Sequence, residues 1–270
     1  MKKVSIILLA AIAAAPLAAS AQTVISQAQA ASPANTSNAT ATNSDCSISG
    51  SDIASIQAIQ NNPNLSPSIE LTQELTIRKQ LLGNTITCAI NEAQQLQQTL
   101  NALQPANGSA MIQSRLSGKI DDAVNFYNLE DGKLADAGIN ATEAIAKEVL
   151  AWRESSYAPL ESQVNNFILW DENQGLFATA GARLNQTQQI VSFIESAVSS
   201  NDIAAKLGAT QSSLQNAENQ NIAAKNALAQ FLPPDQSLAL IQQSLQSLAD
   251  TYQKFTDLNN LIQTVLPTSQ

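Results

Sequence analysis

The sequence predicts an all-α protein, built as an elongated antiparallel helical bundle with long coiled-coil helices. Over long stretches, apolar residues recur at alternating intervals of four and three, which is the heptad spacing of helices that pack along a seam. Breaks rich in proline, asparagine and serine separate these stretches. No stretch of useful length alternates apolar and polar residues as a half-buried β-strand would.

The clearest of these patterns covers residues 201–270 and predicts an antiparallel coiled-coil hairpin. Pro233-Pro234 ends the first helix, and Asp235 is expected to cap the second. Asn221 and Asn259 fall on the seams, where a buried Asn would set the register of the helices and an Asn at a wet edge would not. Both interpretations remain open. The seam residues are Ile203, Leu207, Thr210, Leu214, Ala217, Asn221, Ala224, Leu228 and Phe231 in the first helix, and Leu238, Ile241, Leu245, Leu248, Tyr252, Phe255, Asn259, Ile262 and Leu266 in the second.

Residues 46–200 are predicted to form a helical bundle with a kinked, aromatic-rich segment. Ser66 before Pro67 is a strong helix start, because an N-cap serine and a proline in the first turn both suit a helix N-terminus. Residues 155–159 are expected to break or kink the chain. The expected helices are Asp52–Gln60, Pro67–Leu103, Ser109 to about Ala137, a helix from Asn140, and one long helix from Pro159 towards Val198.

Residues 1–21 have the features of a bacterial secretory signal peptide. Lys2 and Lys3 precede an apolar stretch, and Ala19-Ser20-Ala21 matches a small-x-small cleavage site. Residues 22–45 are rich in Ala, Ser, Asn and Thr and are expected to form a disordered low-complexity spacer. We therefore expect an exported protein of the periplasm, the cell surface or the extracellular space.

Composition excludes several classes of function. The chain of 270 residues contains no histidine, 13 Lys and Arg, 22 Asp and Glu, and a formal net charge of −9. A histidine base and a histidine-ligated metal are thereby excluded, and the sequence has neither a calcium-loop motif nor a phosphate-binding glycine motif. An acidic chain without clustered bases is not expected to bind nucleic acid. We predict no metal, no cofactor and no stable membrane insertion.

The sequence contains two cysteines, Cys46 and Cys88. In an exported protein an even number of cysteines permits a disulfide, which would tie the N-terminal segment to the first long helix. Two free thiols are the alternative. Because no C-x-x-C spacing is present, a catalytic dithiol is not expected.

The chain has the sequence WRESSYAP from residue 152 onward. This stretch resembles the catalytic motif of soluble lytic transglycosylases, which are exported, mostly α-helical enzymes that cut peptidoglycan. Glu154, Ser155, Tyr157 and Pro159 stand in the matching positions, and the resemblance implies that Glu154 would be the general acid, kept protonated by apolar surroundings. Ala158 stands where the family has Asn or Asp, and the glycine-containing stretch that follows in the family is absent here.

Aromatic side chains concentrate in the same region. If exposed, Trp152, Tyr157, Phe167 and Trp170 would form a patch for a protein or glycan partner. The alternative is a local core, since aromatic side chains are usually buried.

Between about residue 115 and residue 185 the chain carries Trp152-Arg153-Glu154, Tyr157, Pro159-Leu160, Asn166-Phe167-Ile168-Leu169-Trp170, Asn173-Gln174 and Arg183-Leu184. On these residues it is similar to uncharacterised secreted α-helical proteins of small-genome candidate bacteria. The resemblance implies an exported helical protein and no particular activity.

These features together predict a non-enzymatic exported coiled-coil protein that acts as a scaffold or assembly subunit of the envelope or cell surface. Its partners would be proteins, a second copy of the chain included, bound through helix faces. Fold-level analogy with the small exported helical subunits of type IV secretion pili suggests a pilus- or secretion-associated role. One alternative is a periplasmic holdase chaperone, although known helical holdases are basic. The other is a lytic transglycosylase-like enzyme that uses Glu154.

Overall fold

The structure, a computed structural model, describes residues 50–105, 108–196 and 201–265. Within these ranges the chain consists of helices and turns and contains no β-strand, which confirms the all-α class. The predicted signal peptide (1–21) and spacer (22–45) lie outside the described residues. In chain order the elements are α1 (Gly50–Gln60), α2 (Pro67–Ala102), α3 (Ala110–Lys133), α4 (Ile139–Trp152), a π turn (Arg153–Tyr157), α5 (Ala158–Glu172), α6 (Gln174–Glu195), α7 (Asn201–Ala229) and α8 (Pro234–Val265).

The chain divides into two compact units. The first ends at Ile168 and the second begins at Leu169, so the division falls within α5. The sequence instead predicts a boundary after residue 200. The two differ because α6, which precedes that position, packs against α7 and α8 and belongs with them.

The first unit is organised around α2, against which α1, α3 and α4 pack. Ser66 is the N-cap residue in an extended conformation and Pro67 opens the helix, as the sequence predicts. Glu74 is 8% exposed and accepts a hydrogen bond from Gln60 Nε2 at 3.0 Å, so this carboxylate holds α1 against α2. Leu71, near the start of α2, is exposed. The buried apolar row of α2 consists of Leu82, Ile86, Ala89, Ala93 and Leu100.

The chain remains helical through residues 155–159, so of the two predicted alternatives, a break or a kink, the break is wrong. The π turn Arg153–Tyr157 joins α4 to α5, and the Ala158 amide donates to the Arg153 carbonyl, five residues back. Pro159 has no amide hydrogen, so a regular α-helix would leave a carbonyl of the preceding turn without its usual donor. The wider π turn accommodates this proline without ending the helix.

The long helix predicted from Pro159 towards Val198 is two helices in the structure. Asn173 separates α5 from α6, and Val198 itself lies outside the described residues. The Asn173 side chain donates from Nδ2 to the Leu169 carbonyl at 2.6 Å, which is an acceptor of the last turn of α5. Such side-chain-to-backbone bonds compete with helix continuation, and this explains the interruption.

In the second unit, α7 and α8 form the predicted hairpin, and α6 packs against both. Two hydrogen bonds show that the pair is antiparallel: Thr251 Oγ1 donates to Ser213 Oγ at 3.1 Å, and Ser247 Oγ donates to Gln220 Oε1 at 2.7 Å. Most of the predicted seam positions face the interior, and Leu266 lies outside the described residues. The seam residues with at most 3% exposure are Ile203, Thr210, Leu214, Ala217, Ala224 and Leu228 on α7, and Ile241, Leu245, Leu248 and Tyr252 on α8.

The turn between α7 and α8 places a large side chain in an unusual backbone conformation. Phe231 has φ of 54°, in the left-handed region where glycine is normally found. The Leu232 amide donates to the Ala227 carbonyl at 3.0 Å, and the Phe231 amide donates to the Leu228 carbonyl at 3.2 Å, which is the Schellman pattern of helix ends. The half-buried ring lies on the predicted seam, so its packing offsets the backbone strain.

The start of α8 lies two residues before the predicted one, because a cap at Asp235 would place the first helical residue at 236. Pro234 is its first residue, so Asp235 lies inside the first turn and is not the cap. Its carboxylate is still favourable there, because negative charge near a helix N-terminus interacts well with the helix dipole.

We expect Leu245→Ala to lower the free energy of unfolding by about 2–5 kcal/mol, because truncating a fully buried leucine leaves a cavity. Leu245 is 0% exposed. Gln246→Ala is the matched control, since Gln246 is the exposed neighbour on α8 and its loss should change stability by about 0.5 kcal/mol or less. Urea unfolding followed by far-UV circular dichroism measures both. Similar midpoints for the two variants would contradict the packing described here.

Candidate functional site

The four aromatic residues predicted as a patch do not share an exposed surface. Tyr157 and Phe167 are 0% exposed, Trp170 is 3% exposed, and Trp152 is half-buried. Trp170 also belongs to the second unit, whereas the other three belong to the first. These side chains pack in the interior, as the alternative interpretation expects.

Glu154, the candidate general acid, is exposed, as are Ser155 and Ser156 beside it. The two serine hydroxyl oxygens lie 3.4 Å apart on the outer side of the π turn. A lytic transglycosylase mechanism requires a carboxylic acid kept protonated by apolar surroundings. The described residues supply no such surroundings at Glu154.

Cys88 lies on α2 and is disulfide-bonded. Cys46, the other cysteine of the sequence, lies outside the described residues. The described end of the cross-link is therefore on the first long helix.

Polar side chains from two helices and the π turn meet in the first unit, and Glu161 of α5 lies within electrostatic range of them. We call this group the Arg153 cluster, and it consists of Glu92, Tyr127, Arg153, Tyr157 and Glu161. Glu92 comes from α2, Tyr127 from α3 and Glu161 from α5, while the π turn supplies the other two. Arg153, Tyr157 and Glu161 are spaced by four residues, which places them near one face of the helical segment.

The ion pair of the cluster joins Arg153 to Glu92. Arg153 Nη2 lies 2.8 Å from Glu92 Oε2 and 3.0 Å from Oε1, and the two side chains are 34% and 22% exposed. The Tyr127 hydroxyl lies beside the guanidinium, outside full hydrogen-bond geometry. The guanidinium carbon lies 5.3 Å from the centroid of the Tyr157 ring, which is a cation–π contact. Arg153 thus connects the π turn to α2 through its ion pair with Glu92, while its aromatic contact lies within the turn.

Aromatic rings surround these charges. The Phe126 and Trp152 rings stack with centroids 4.2 Å apart and planes inclined by 16°. Tyr127 lies edge-on to Trp152 at 5.3 Å and to Tyr157 at 6.0 Å. The buried Tyr157 hydroxyl has no hydrogen-bond partner among the described residues. Apolar rings beside charged groups lower the local dielectric, which strengthens charge interactions and disfavours an unpaired charge.

The environment shifts the ionisation of the cluster. Burial raises the pKa of the Glu161 carboxyl above its ordinary value, the Glu92 carboxylate raises that pKa further, and Arg153 opposes both effects. Burial likewise raises the pKa of the Tyr157 hydroxyl and that of the Tyr127 hydroxyl. Glu161 therefore binds a proton at a higher pH than an ordinary glutamate does.

Neither Glu92 nor Glu161 is among the residues predicted from the sequence to be functional. The sequence nevertheless contains a pattern that points to each of these two residues. Glu92 is the one charged residue between Lys79 and Arg115, and a lone charge in a long uncharged helical stretch suggests a paired side chain. Glu161 follows Arg153 by eight residues, a spacing that puts both near one face of a helix. Periodicity within one helix does not show that these residues meet Glu92.

A second group of polar side chains packs on α7 in the second unit. The amides of Gln174 and Asn221 bond reciprocally: Asn221 Nδ2 donates to Gln174 Oε1 at 2.9 Å, and Gln174 Nε2 donates to Asn221 Oδ1 at 3.3 Å. Trp170 Nε1 donates to the Asn221 carbonyl at 3.3 Å, and Lys225 Nζ lies 5.9 Å from the centroid of the Trp170 ring. Asn221 is half-buried, and its amide is paired with Gln174 of α6. Asn259 is also half-buried.

Two exposed helix surfaces are lined by uncharged polar side chains, and we call them the α2 amide face and the α7 amide face. Each lies along the exposed side of a single helix. Amide side chains both donate and accept hydrogen bonds, so each face offers both to a partner. The α2 amide face consists of Asn84, Thr87, Asn91, Gln94, Gln95 and Gln98, beside Cys88, and the α7 amide face consists of Gln211, Ser212, Gln215, Asn216 and Asn219.

Across residues 50–105, 108–196 and 201–265, no three His, Cys, Asp or Glu side chains come together as a metal site would require. No helix in these ranges combines the length and the apolar character that crossing a membrane demands. Comparisons of the chain with protein-family models, curated proteins and solved structures found no match. The fold thus defines the class, an all-α protein of long helices packed against each other.

We expect Arg153→Ala to lower the free energy of unfolding by about 1–3 kcal/mol, because the half-buried Glu92 carboxylate loses its partner. Lys147→Ala is the control. Lys147 and Glu143 also form an ion pair, but their side chains are 74% and 52% exposed. An exposed pair of this kind contributes little to stability, because water screens the two charges. Urea unfolding of both variants tests the difference, and equal losses would show that the Arg153 pair is energetically an ordinary surface pair.

A double-mutant cycle on Gln174→Ala and Asn221→Ala should give a coupling energy of about 1 kcal/mol, because either single change breaks the same reciprocal pair of hydrogen bonds. Gln215 and Asn219 supply the control cycle on α7. They are also joined by an amide hydrogen bond, of 3.3 Å, but both side chains are exposed. We expect their coupling to be close to zero. Thermal or urea unfolding measures both cycles. A coupling energy near zero for Gln174 and Asn221 would mean that hydrogen bonds to water replace those of the pair with no loss of stability.

Proposed function

We propose that the protein is a non-enzymatic exported helical subunit that acts as a scaffold or assembly component of the cell envelope or surface. The specific form we favour is a subunit associated with a pilus or a secretion apparatus. The predicted signal peptide supports export. The helix faces support association with other proteins.

The observation that carries the proposal is the extent of the α2 amide face. This face runs from Asn84 to Gln98, which is about 21 Å along the helix. From Gln80 to its end the helix carries one charged side chain, Glu92, and that charge is paired with Arg153 inside the unit. A long uncharged face can be covered by a partner helix without the desolvation penalty that exposed charges would add. Its amides can still form hydrogen bonds that align the partner.

The α7 amide face provides a second surface of the same kind in the other unit. Its side chains are exposed and uncharged, and the seam on the opposite side of α7 is already buried in the hairpin. A subunit that links neighbours in an assembly needs more than one surface for association. One amide face in each unit meets that requirement.

The test is photo-crosslinking in the producing cells. A benzophenone amino acid is placed at Gln94 on the α2 amide face or at Gln215 on the α7 amide face, and a C-terminal tag permits recovery. Asp122 and Asp250 are the control positions, one in each unit, because both are exposed and lie on charged surfaces. The cells are then fractionated, and adducts are identified by mass spectrometry.

We expect Gln94 and Gln215 to give reproducible adducts with envelope, surface or pilus proteins, or with a second copy of the chain, and the control positions to give few. Release of the protein into the medium without an adduct at either face would contradict the proposal. Equal capture at all four positions would contradict the role of the amide faces.

A further inference from the structure

The outer side of α2 repeats the seven-residue spacing of a helix seam. The repeat extends the α2 amide face by one turn, back to Gln80, and every residue in it is exposed, polar and uncharged. Because its steps alternate between four and three, this outward row stays on one side of the helix for about 27 Å. The buried apolar row lies on the opposite side of α2. The outward row consists of Gln80, Asn84, Thr87, Asn91, Gln94 and Gln98.

The outward row differs from the exposed side of the neighbouring helix α3. That side carries Arg115, Lys119 and Asp122, all exposed, as the solvent-facing side of a helix normally does. Along the stretch of α2 that the row covers, the one charged residue is Glu92, which is paired with Arg153 and lies beside the row. The row can therefore be covered by another surface without taking a charge out of water.

The chemistry of the row restricts what can cover it. A charged partner would lose its hydration without gaining an opposite charge, and an apolar partner would leave the covered amides without hydrogen bonds. Both arrangements cost free energy. Another row of uncharged amides avoids both costs, because each amide group donates and accepts hydrogen bonds. A second copy of the chain supplies such a row with the same length and the same spacing.

Net charge also bears on where two copies can meet. The chain has a formal net charge of −9, so two copies repel each other overall. That repulsion is weakest where the facing surfaces carry no charge. The outward row of α2 is such a surface in the first unit.

We propose that the α2 amide face binds the same face of a second copy, so that the two outward rows pair around a two-fold axis. This inference rests on the proposed function, in which that face associates with a partner, and it identifies the partner as the chain itself. The contact has no large apolar centre and is therefore weak. Amide pairs at seam spacing set the register of the two helices.

Sedimentation velocity of the purified protein tests the pairing, from about 5 to about 500 µM because a polar contact of this kind is weak. We expect a monomer–dimer equilibrium. Asn91→Asp should weaken dimer formation by about tenfold or more, because each copy then brings a like charge into the contact. Asn128→Asp is the matched control. It changes the net charge equally at an exposed position of α3 and should leave the equilibrium unchanged.

Two further measurements keep the result independent of any one variant. Gln94→Glu repeats the test at a second exposed position of the row and should weaken the dimer in the same way. A benzophenone amino acid at Gln94 of the purified protein should give a covalent dimer whose adduct lies in α2 of the other copy. A monomer at every concentration would overturn the proposal. So would an adduct outside α2, or variants of the row that dimerise as the wild type does.

Failure of this inference is distinguishable from failure of the proposed function. If the purified protein stays monomeric while Gln94 captures a different envelope protein in cells, self-pairing is wrong and the proposed function stands. If the purified protein dimerises through α2 but is released from cells without an adduct at either amide face, self-pairing stands and the proposed function is wrong.

Discussion

The burial of long apolar seams is the constraint on which the rest of the structure depends. With 4% aromatic residues in the chain, the helices are stabilised largely by aliphatic and small side chains that are buried in rows. On α8, Leu245, Leu248 and Leu258 are each 0% exposed. Each row buries one side of its helix against a neighbouring helix, along the length of the row. The positions between the rows are left for polar contacts and for surfaces that face outward.

Both groups of polar side chains lie beside a departure from regular helix. The Arg153 cluster surrounds the π turn, and the Gln174–Asn221 pair stands next to the interruption at Asn173. In each case a side chain from another helix completes the group, Glu92 from α2 in the first unit and Asn221 from α7 in the second. An irregular backbone frees or displaces hydrogen-bonding groups, and contacts from a packed neighbour stabilise the resulting geometry.

The same division of helix faces connects stability to the proposed function. On α2 the buried row supports the first unit, while the exposed Gln94 and Gln98 lie on a face that contributes no core packing. Changes on such a face are expected to affect folding little, whereas changes in the buried row lower the stability of the fold. A scaffold that must associate through its sides while remaining folded benefits from this separation.

Much of the fold follows from the sequence by itself. Heptad spacing determined the all-α class and the inward side of α7 and α8, because a helix has a fixed period and its apolar residues must be buried. Local chemistry likewise determined the start of α2 at Pro67. Tertiary structure alone decided that Arg153 meets Glu92, 61 residues away, and that the chain passes Pro159 in a π turn. Those outcomes depend on which helix faces pack together, and the period of a single helix contains no information about its partner.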